Sequence, residues 1–500
     1  MTARRLRFVA LSGPCLAVLL TGCMVGPDYK RPDAPVPITY KELDGWKPAT
    51  PLDTINRGAW WSIYNDPELD QLESQVAVSN QNVKSFEAAY RAAVALVRET
   101  QAGLFPTASV TTGVTRTRSG GGGGGVASSG AVVGGGGGGT IRTQYSVEGS
   151  ADWTPDIWGK IRREVESNVA AAQVSAADLA NATLSAQATL AIAYVNLRFE
   201  DSLQKLLIDT VAEFQRALNI TQNQYHAGTA SSADVVTAQA QLQTTQAQLI
   251  AVGVQRGQFE HAIAMLTGHP PADLTIPVTR LPRQVPVVPT DVPSTLLERR
   301  PDIAAAERQM QEENALIGVA ISAYYPDVSL TALLGFVGSP LSQLFTVANR
   351  TWSLGASASE TIFDAGSRSA AVEVARATYD QNVADYRQTV LTAFQQVEDE
   401  LVALRVLEQQ ATAEDIAVAS TRHAVEVTLN QYLAGTVAYT SVITEQTLLL
   451  GDEQTALAIQ QSRLVASVTL IEALGGGWRA SDLPSDFTIQ PKQLLPFPAP

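Results

Sequence analysis

The chain has 500 residues, with 35 basic against 49 acidic side chains and a net charge of −14, a balance that argues against nucleic acid as a partner. Its 2 cysteines exclude a disulfide-built scaffold and any cysteine metal cluster. No stretch approaches about 18 consecutive apolar residues, so any crossing of a bilayer falls to a β-barrel.

The first element is a leader. Arg4, Arg5 and Arg7 precede the apolar run 8–20, which is too short to span a membrane and reads as an export signal over 1–22. It ends in Leu-Thr-Gly-Cys (20–23), which resembles the bacterial lipobox, so Cys23 is expected to become the lipid-bearing first residue of the mature chain. The alternative is plain secretion with a structural Cys23. The other cysteine, Cys15, lies in the removed leader, and loss of the leader arginines makes the mature chain more acidic still. Met24 is not the aspartate that retains many lipoproteins in the inner membrane, so the outer membrane is the expected destination.

After an N-terminal segment (23–65), a first unit (66–267) reads as helix, strand, strand, helix, helix. Asp66-Pro67-Glu68 is a helix start, with a capping residue, a proline at the first helical position and an acid in the first turn. One helix is expected from Asp66 to about Leu104, ended by Pro106. Of the two strands that follow, the second puts Ile141, Tyr145, Val147, Ala151 and Trp153 on one face and Arg142, Gln144, Ser146, Glu148 and Asp152 on the other. A proline-free stretch from Trp158 to about Tyr225 carries Val165, Val169, Ala172, Ala176, Leu179, Thr183, Ala186, Leu190, Ala193 and Leu197 as a heptad seam. The next helix continues in kind, with Val235, Ala238, Leu242, Thr245 and Leu249.

A proline-rich link (268–293) leads to a second unit (294–474) that repeats the first, followed by a tail (475–500). Asn-Gln-Tyr-His-Ala-Gly-Thr (223–229) returns as Asn-Gln-Tyr-Leu-Ala-Gly-Thr (430–436), an offset of 207, and Pro106, Ser109 and Thr111 return as Pro326, Ser329 and Thr331, an offset of 220. In this unit Val328, Leu330, Ala332, Leu334 and Phe336 share one strand face, and Trp352, Leu354, Ala356 and Ala358 one face of the return strand. Four strands of this kind fit a lipid-facing barrel wall, while a soluble sheet with one wet face fits the pattern as well. Since the smallest bacterial barrels have about eight strands, a barrel requires several copies of the chain. The long helices, from about Ser367 to Gln431 in this unit, suit a thin wall of packed helices, or a plain coiled-coil spacer. Each repeated heptapeptide is a helix-hairpin tip, with Gly228 or Gly435 where the C-cap requires positive φ. That turn does not explain Tyr225, Tyr432 or the pair Gln224 and Gln431.

Cys23 with 26–32, 60–72, 296–309, 317–330, the two tips and 473–478 together resemble the lipoprotein (NodT-type) branch of the TolC-like outer-membrane efflux family, over nearly the whole mature chain and in order. The resemblance implies a mixed α and transmembrane β fold with a two-fold internal repeat. A homotrimer would form one twelve-stranded β-barrel continuous with a long periplasmic α-helical barrel, belted by an equatorial domain of the N-terminal segment, the link and the tail. It implies a passive exit duct in the outer membrane, anchored by lipid at Cys23 and extending into the periplasm. The implied partners are a periplasmic adaptor and an inner-membrane pump of the resistance-nodulation-division type. The alternative is a lipid-anchored coiled-coil protein of structural or adhesive role.

The resemblance also implies a gate at the tips. Asp234 matches an acid that ties the hairpins together in relatives, and Tyr432 the tyrosine bonded to it, with Gln431 beside it. The chain departs from relatives at Val437, where some have arginine, and at Ser441 and Thr444, where some have constricting acids; Glu445 lies next to the second position. The expected closed state is held by packing and by an Asp234–Tyr432 bond. The competing reading has Asp234 capping the helix that begins near Ser232, with Tyr432 only packing.

No catalytic, cofactor or metal site is expected. The glycine runs at 120–125 and 134–139 lack a following Gly-Lys-Ser/Thr and read as a flexible extracellular connection between the first two strands. His226, His261, His269 and His423 show no ligand spacing. Arg299-Arg300-Pro301-Asp302 is a charged helix start.

Overall fold

The computed structural model describes residues 24–37, 39–43, 59–118, 141–288 and 298–490. Cys23 and the glycine runs lie outside them.

Asp66 caps α1 (Pro67–Ser79), accepting from the backbone N–H of Glu68 and Leu69. The single helix expected to run on to Leu104 breaks at Asn80, and α2 (Gln81–Ala102) starts afresh. The break has a local and a distant cause. Asn80 Oδ1 accepts from the N–H of Asn82 and Val83, and its Nδ2 donates to the carbonyl of Leu266 at 2.9 Å. That carbonyl belongs to the last turn of α4 (Ser232–Leu266), so Asn80 closes one helix while opening another.

Strands β1 (Thr107–Arg118), β2 (Ile141–Trp153), β3 (Asp327–Gly338) and β4 (Arg350–Ser359) form one antiparallel sheet in chain order. The register places Ser109 opposite Ser150 and Ser329 opposite Ser357, and each pair shares a hydrogen bond, at 2.8 and 2.7 Å. The other face carries Val110, Val114, Trp153, Leu334, Trp352 and Leu354, all exposed. Both faces follow the alternation in the sequence.

Each strand pair runs into a very long helix, α3 (Lys160–His226) or α6 (Ser367–Leu433), 67 residues each. At about 1.5 Å per residue such a helix reaches roughly 100 Å. Each returns through a hairpin, into α4 or into α7 (Tyr439–Ala473), and α5 (Pro301–Ser322) is the counterpart of α2. Both sequence offsets are built into these elements. Helices α2 and α5 and strands β1 and β3 begin 220 positions apart, whereas α3 and α6, like α4 and α7, begin and end 207 apart. The change falls within the strand pairs, where the first unit carries residues 119–140.

Of the seam read in α3, Val165, Val169, Ala172, Leu190, Ala193 and Leu197 are buried, and Ala176, Leu179, Thr183 and Ala186 are half-buried. Thr210, Thr221 and Thr245, also buried, turn their hydroxyls onto carbonyls one turn back in the same helix, which lets helices approach without orphaned polar groups. The main core lies midway along α3 and α6, where Trp60, Leu72, Leu197, Ile263, Ile303, Met310, Tyr386 and Val397 meet. The link is tied to it by hydrogen bonds around the buried Asp201. Arg198 donates to Asp201 and to Pro277 O, Arg256 donates to Asp201 and to Ile276 O, and Asp201 accepts the N–H of Thr279.

Candidate functional site

The two hairpin tips have the same backbone. Gly228 at φ 75° and Gly435 at φ 74° occupy the left-handed region, and a Cβ on either would meet no atom within 4 Å. Conformation, not space, therefore requires glycine. The N–H and hydroxyl of Thr229 both donate to Gln224 O, and those of Thr436 to Gln431 O. The repeated Gln and Thr thus seal the helix end through the main chain, which leaves their companions free to differ.

They do differ. Tyr225 is exposed, as is Gln431, whereas Tyr432 is half-buried and its hydroxyl donates to the side-chain oxygen of Gln224 on the other hairpin. The Tyr432 ring lies 5.1 Å from that of Tyr439, tilted by 51°. Beneath the pair sits a small apolar cluster of Phe214, Leu218, Ala238, Leu242, Tyr439 and Val442, drawn from both hairpins.

The Asp234–Tyr432 bond expected from the sequence is not formed in this conformation. The Asp234 carboxylate accepts instead from the N–H and hydroxyl of Ser231, at 3.1 and 2.8 Å, while its own N–H donates to Ser231 Oγ at 3.2 Å. This is a reciprocal capping box at the start of α4. The competing reading had Asp234 as a cap, but it did not foresee the tie to Gln224. Burial raises the pKa of the Tyr432 hydroxyl, and the nearby Asp234 charge adds to this. Burial also pushes Tyr439 up to about 12.

Thr444 is exposed and bonds back to Thr440 O, while Glu445 is half-buried. Gln224, which accepts from Tyr432, is the tip residue the sequence reading left without a role. Its signal was present, because the repeat kept a glutamine that the turn alone did not explain.

At the opposite end of the long helices, the apolar sheet face and a polar face of Ser, Thr, Gln and Glu side chains give the molecule a wall with two unlike sides. Among the described residues no helix is long and apolar enough to cross a membrane, and no group of His, Cys, Asp and Glu could hold a metal ion.

The family model described as "Outer membrane efflux protein" matches residues 72–269 and 292–476. The chain is 29% identical over 471 residues to the probable efflux pump outer membrane protein TtgC of Pseudomonas putida, covering 94% of this chain and 95% of that one. It is 27% identical over 470 residues to the cation efflux system protein CusC of Escherichia coli, covering 93% and 98%. Among solved structures, the outer-membrane channel OprN superposes with a TM-score of 0.81 at 28% identity, covering 91% of this chain and all of that one.

Proposed function

We propose that three copies of this chain, which belongs to the outer membrane efflux protein family, close one twelve-stranded barrel and continue it as a helical tunnel. The protein is an outer-membrane efflux channel, a duct and not an enzyme, that extends into the periplasm and works with an adaptor and an inner-membrane pump. The finer reading adds a homotrimer, a pump of the resistance-nodulation-division type and a lipid anchor at Cys23.

One observation carries the trimer. The sheet has four strands, an apolar face left open to the surroundings and two edges that no other described strand covers. An open edge invites pairing with another chain, and in a membrane all strand edges must be closed. Several copies satisfy both demands. A lipid-anchored coiled-coil role would leave the open apolar face without a purpose.

In this reading 66–267 and 294–474 are the two repeats, while 23–65, 268–293 and 475–500 form the equatorial belt. Gly228 and Gly435 turn the periplasmic tips, and Tyr432 and Gln431 stand at the gate with Asp234, Thr444 and Glu445 along its rim. With Thr444 and Val437 where relatives carry charge, cation attraction at the opening is weak. In this reading the pump, not the duct, chooses the cargo.

The test is electrophoresis of outer-membrane extracts with and without heating, followed by planar-bilayer recording. A band of three chains that collapses on heating, with a small resting conductance, is expected. A monomer that stays in the aqueous phase without detergent would overturn the reading.

A further inference from the structure

We propose that the seam between two copies of the barrel sheet, at the end far from the helices, binds a phosphorylated glycolipid of the outer leaflet. This rests on the several-copy barrel reading above and adds the lipid that the wall selects.

The charges of the sheet are sorted by face. Residues opposite each other in the register share a face, which places Arg116 with Thr143, Arg118 with Ile141 and Arg350 with Phe336. All of these alternate onto the apolar face that carries Val114, Leu334 and Trp352, and that face holds three arginines and no acid. The acids of the strands, Glu148, Asp152 and Asp327, fall on the other face. Neither connection at this end supplies one, since residues 119–140 and 339–349 contain no charged side chain. Arg116, Arg118 and Arg350 are exposed, and among the described residues no carboxylate pairs with them. In a chain of net charge −14, this end of the sheet is charged by arginine alone.

The level is that of a headgroup. The helices join the sheet at the ends marked by Thr107, Trp153, Asp327 and Ser359, so Arg118 and Arg350 lie at the far end, outside a channel whose helices extend into the periplasm. Trp153 and Thr143, which stands opposite Arg116, are ten residues apart in β2. At about 3.3 Å per residue and a tilt of roughly 40° this is about 25 Å of height, the apolar band of such a wall. Followed through Phe336 and Val147 to Thr112, the row of Arg350 lies four residues short of Arg116. The helix-side ends are staggered in the same sense, with Asp327 and Ser359 beyond the row of Trp153 and Leu330. The strands therefore tilt, and Arg350 comes to the level of the β1 arginines.

Closure brings the arginines together. The edge strands of the sheet are β1 and β4, so joining copies seats β4 of one against β1 of the next. Arg350 then shares the seam with Arg116 and Arg118 of the neighbouring copy.

A hydrocarbon surface lies beside Arg350. The β3–β4 connection folds back onto the apolar face, where the ring of Phe345 meets that of Phe336 edge-on at 5.4 Å. Leu344 is buried beneath it, and Asn349 Nδ2 donates to Gln343 O at 2.8 Å, which holds the connection in place. Leu341, Phe345 and Val347 remain 57%, 68% and 81% exposed. Guanidinium forks fit phosphate oxygens, and basic clusters at membrane level recruit anionic lipids. Three forks at one seam match a headgroup with more than one phosphate, whereas a diester phospholipid offers a single one. A glycolipid with phosphorylated sugars and several acyl chains meets both the arginines and the apolar surface.

The test is native mass spectrometry of the full-length protein, incubated in detergent with bis-phosphorylated lipid A, with its dephosphorylated form or with phosphatidylglycerol. Retention of the bis-phosphorylated form is expected, reduced several-fold by Arg350→Gln and by Arg116→Gln combined with Arg118→Gln. Arg142→Gln, at the same end on the opposite face, should leave it unchanged. Equal retention by the arginine variants would overturn the proposal, and so would equal retention of phosphatidylglycerol or of the dephosphorylated form by the parent. Should an arginine variant fail to assemble, the parent's preference among the three lipids still decides. Heat-modifiable migration of the parent reports the barrel separately: a parent that runs as a monomer would remove the barrel reading and the seam with it.

Discussion

The hydroxyl of Tyr432 donates to the side-chain oxygen of Gln224, a bond between two hairpins whose sequences are otherwise near copies. Asp234, the partner expected for Tyr432, is occupied three residues back by Ser231. In the proposed gate this bond is the lock, and it can be tested one residue at a time.

Removing the lock should open the channel. A neutral hydrogen bond contributes about 0.5–1.5 kcal/mol net, so Tyr432→Phe and Gln224→Leu should each raise the resting open probability about two- to tenfold. In single-channel recording the double variant should add little to either single one. Asp234→Ala should behave differently: it removes a cap worth about 1 kcal/mol, shortens α4 by a frayed turn, and adds independently to Tyr432→Phe. Coupling of Tyr432 to Asp234 in place of Gln224 would show that the working closed state differs from this conformation.

The tip glycines should tolerate no side chain despite open space around them. At φ 74° an alanine at Gly435 is strained by roughly 1–2 kcal/mol. Gly435→Ala should speed amide exchange in the last turn of α6 and the first of α7, with the equatorial core unchanged. Equal protection in both proteins would mean the turn relaxes to another conformation.

Glu73 of α1 is fully buried, and neither carboxylate oxygen has a partner among the described residues. Burial pushes its pKa up to about 9, so the folded protein holds a proton that the unfolded chain releases from about 4.5 upward. The native state binds the extra proton, so the associated stability is complete at acid pH and lost as pH rises from about 4.5 to about 9. The stability of the detergent-solubilised protein should fall across this window by on the order of a few kcal/mol, read as a falling melting temperature. Glu73→Gln should flatten the dependence and melt higher at pH 8. A variant with the same slope as the parent would remove Glu73 as its source.

The link should come loose when its buried clamp is cut. Asp201, 1% exposed, accepts from Arg198, Arg256 and the N–H of Thr279. Asp201→Ala leaves the buried Arg198 without its carboxylate and Arg256 with Glu260 alone, a loss of roughly 3–5 kcal/mol. Limited proteolysis should then cut within 271–285, and resistance equal to the parent's would contradict the clamp.

Local chemistry made much of this molecule legible in its residue order. Two offsets, 207 and 220, marked the repeat and reappear as element starts. Strand alternation set both faces of the sheet, because successive side chains must point opposite ways. The proline at α1, the glycines at the tips and the heptad seams each act within a few residues, so position alone reveals them. Distant partners are another matter. Asn80 breaks an expected helix because Leu266 O, 186 residues away, needs a donor. Arg163 is buried because the strap at Val25 and Gly26 crosses it. Tyr432 and Tyr225 sit in nearly identical phrases, yet one faces a neighbouring hairpin and the other faces out. Hydrogen bonds between remote segments leave no period in the sequence, so only the packing of the helices decided which tyrosine bonds to the other hairpin.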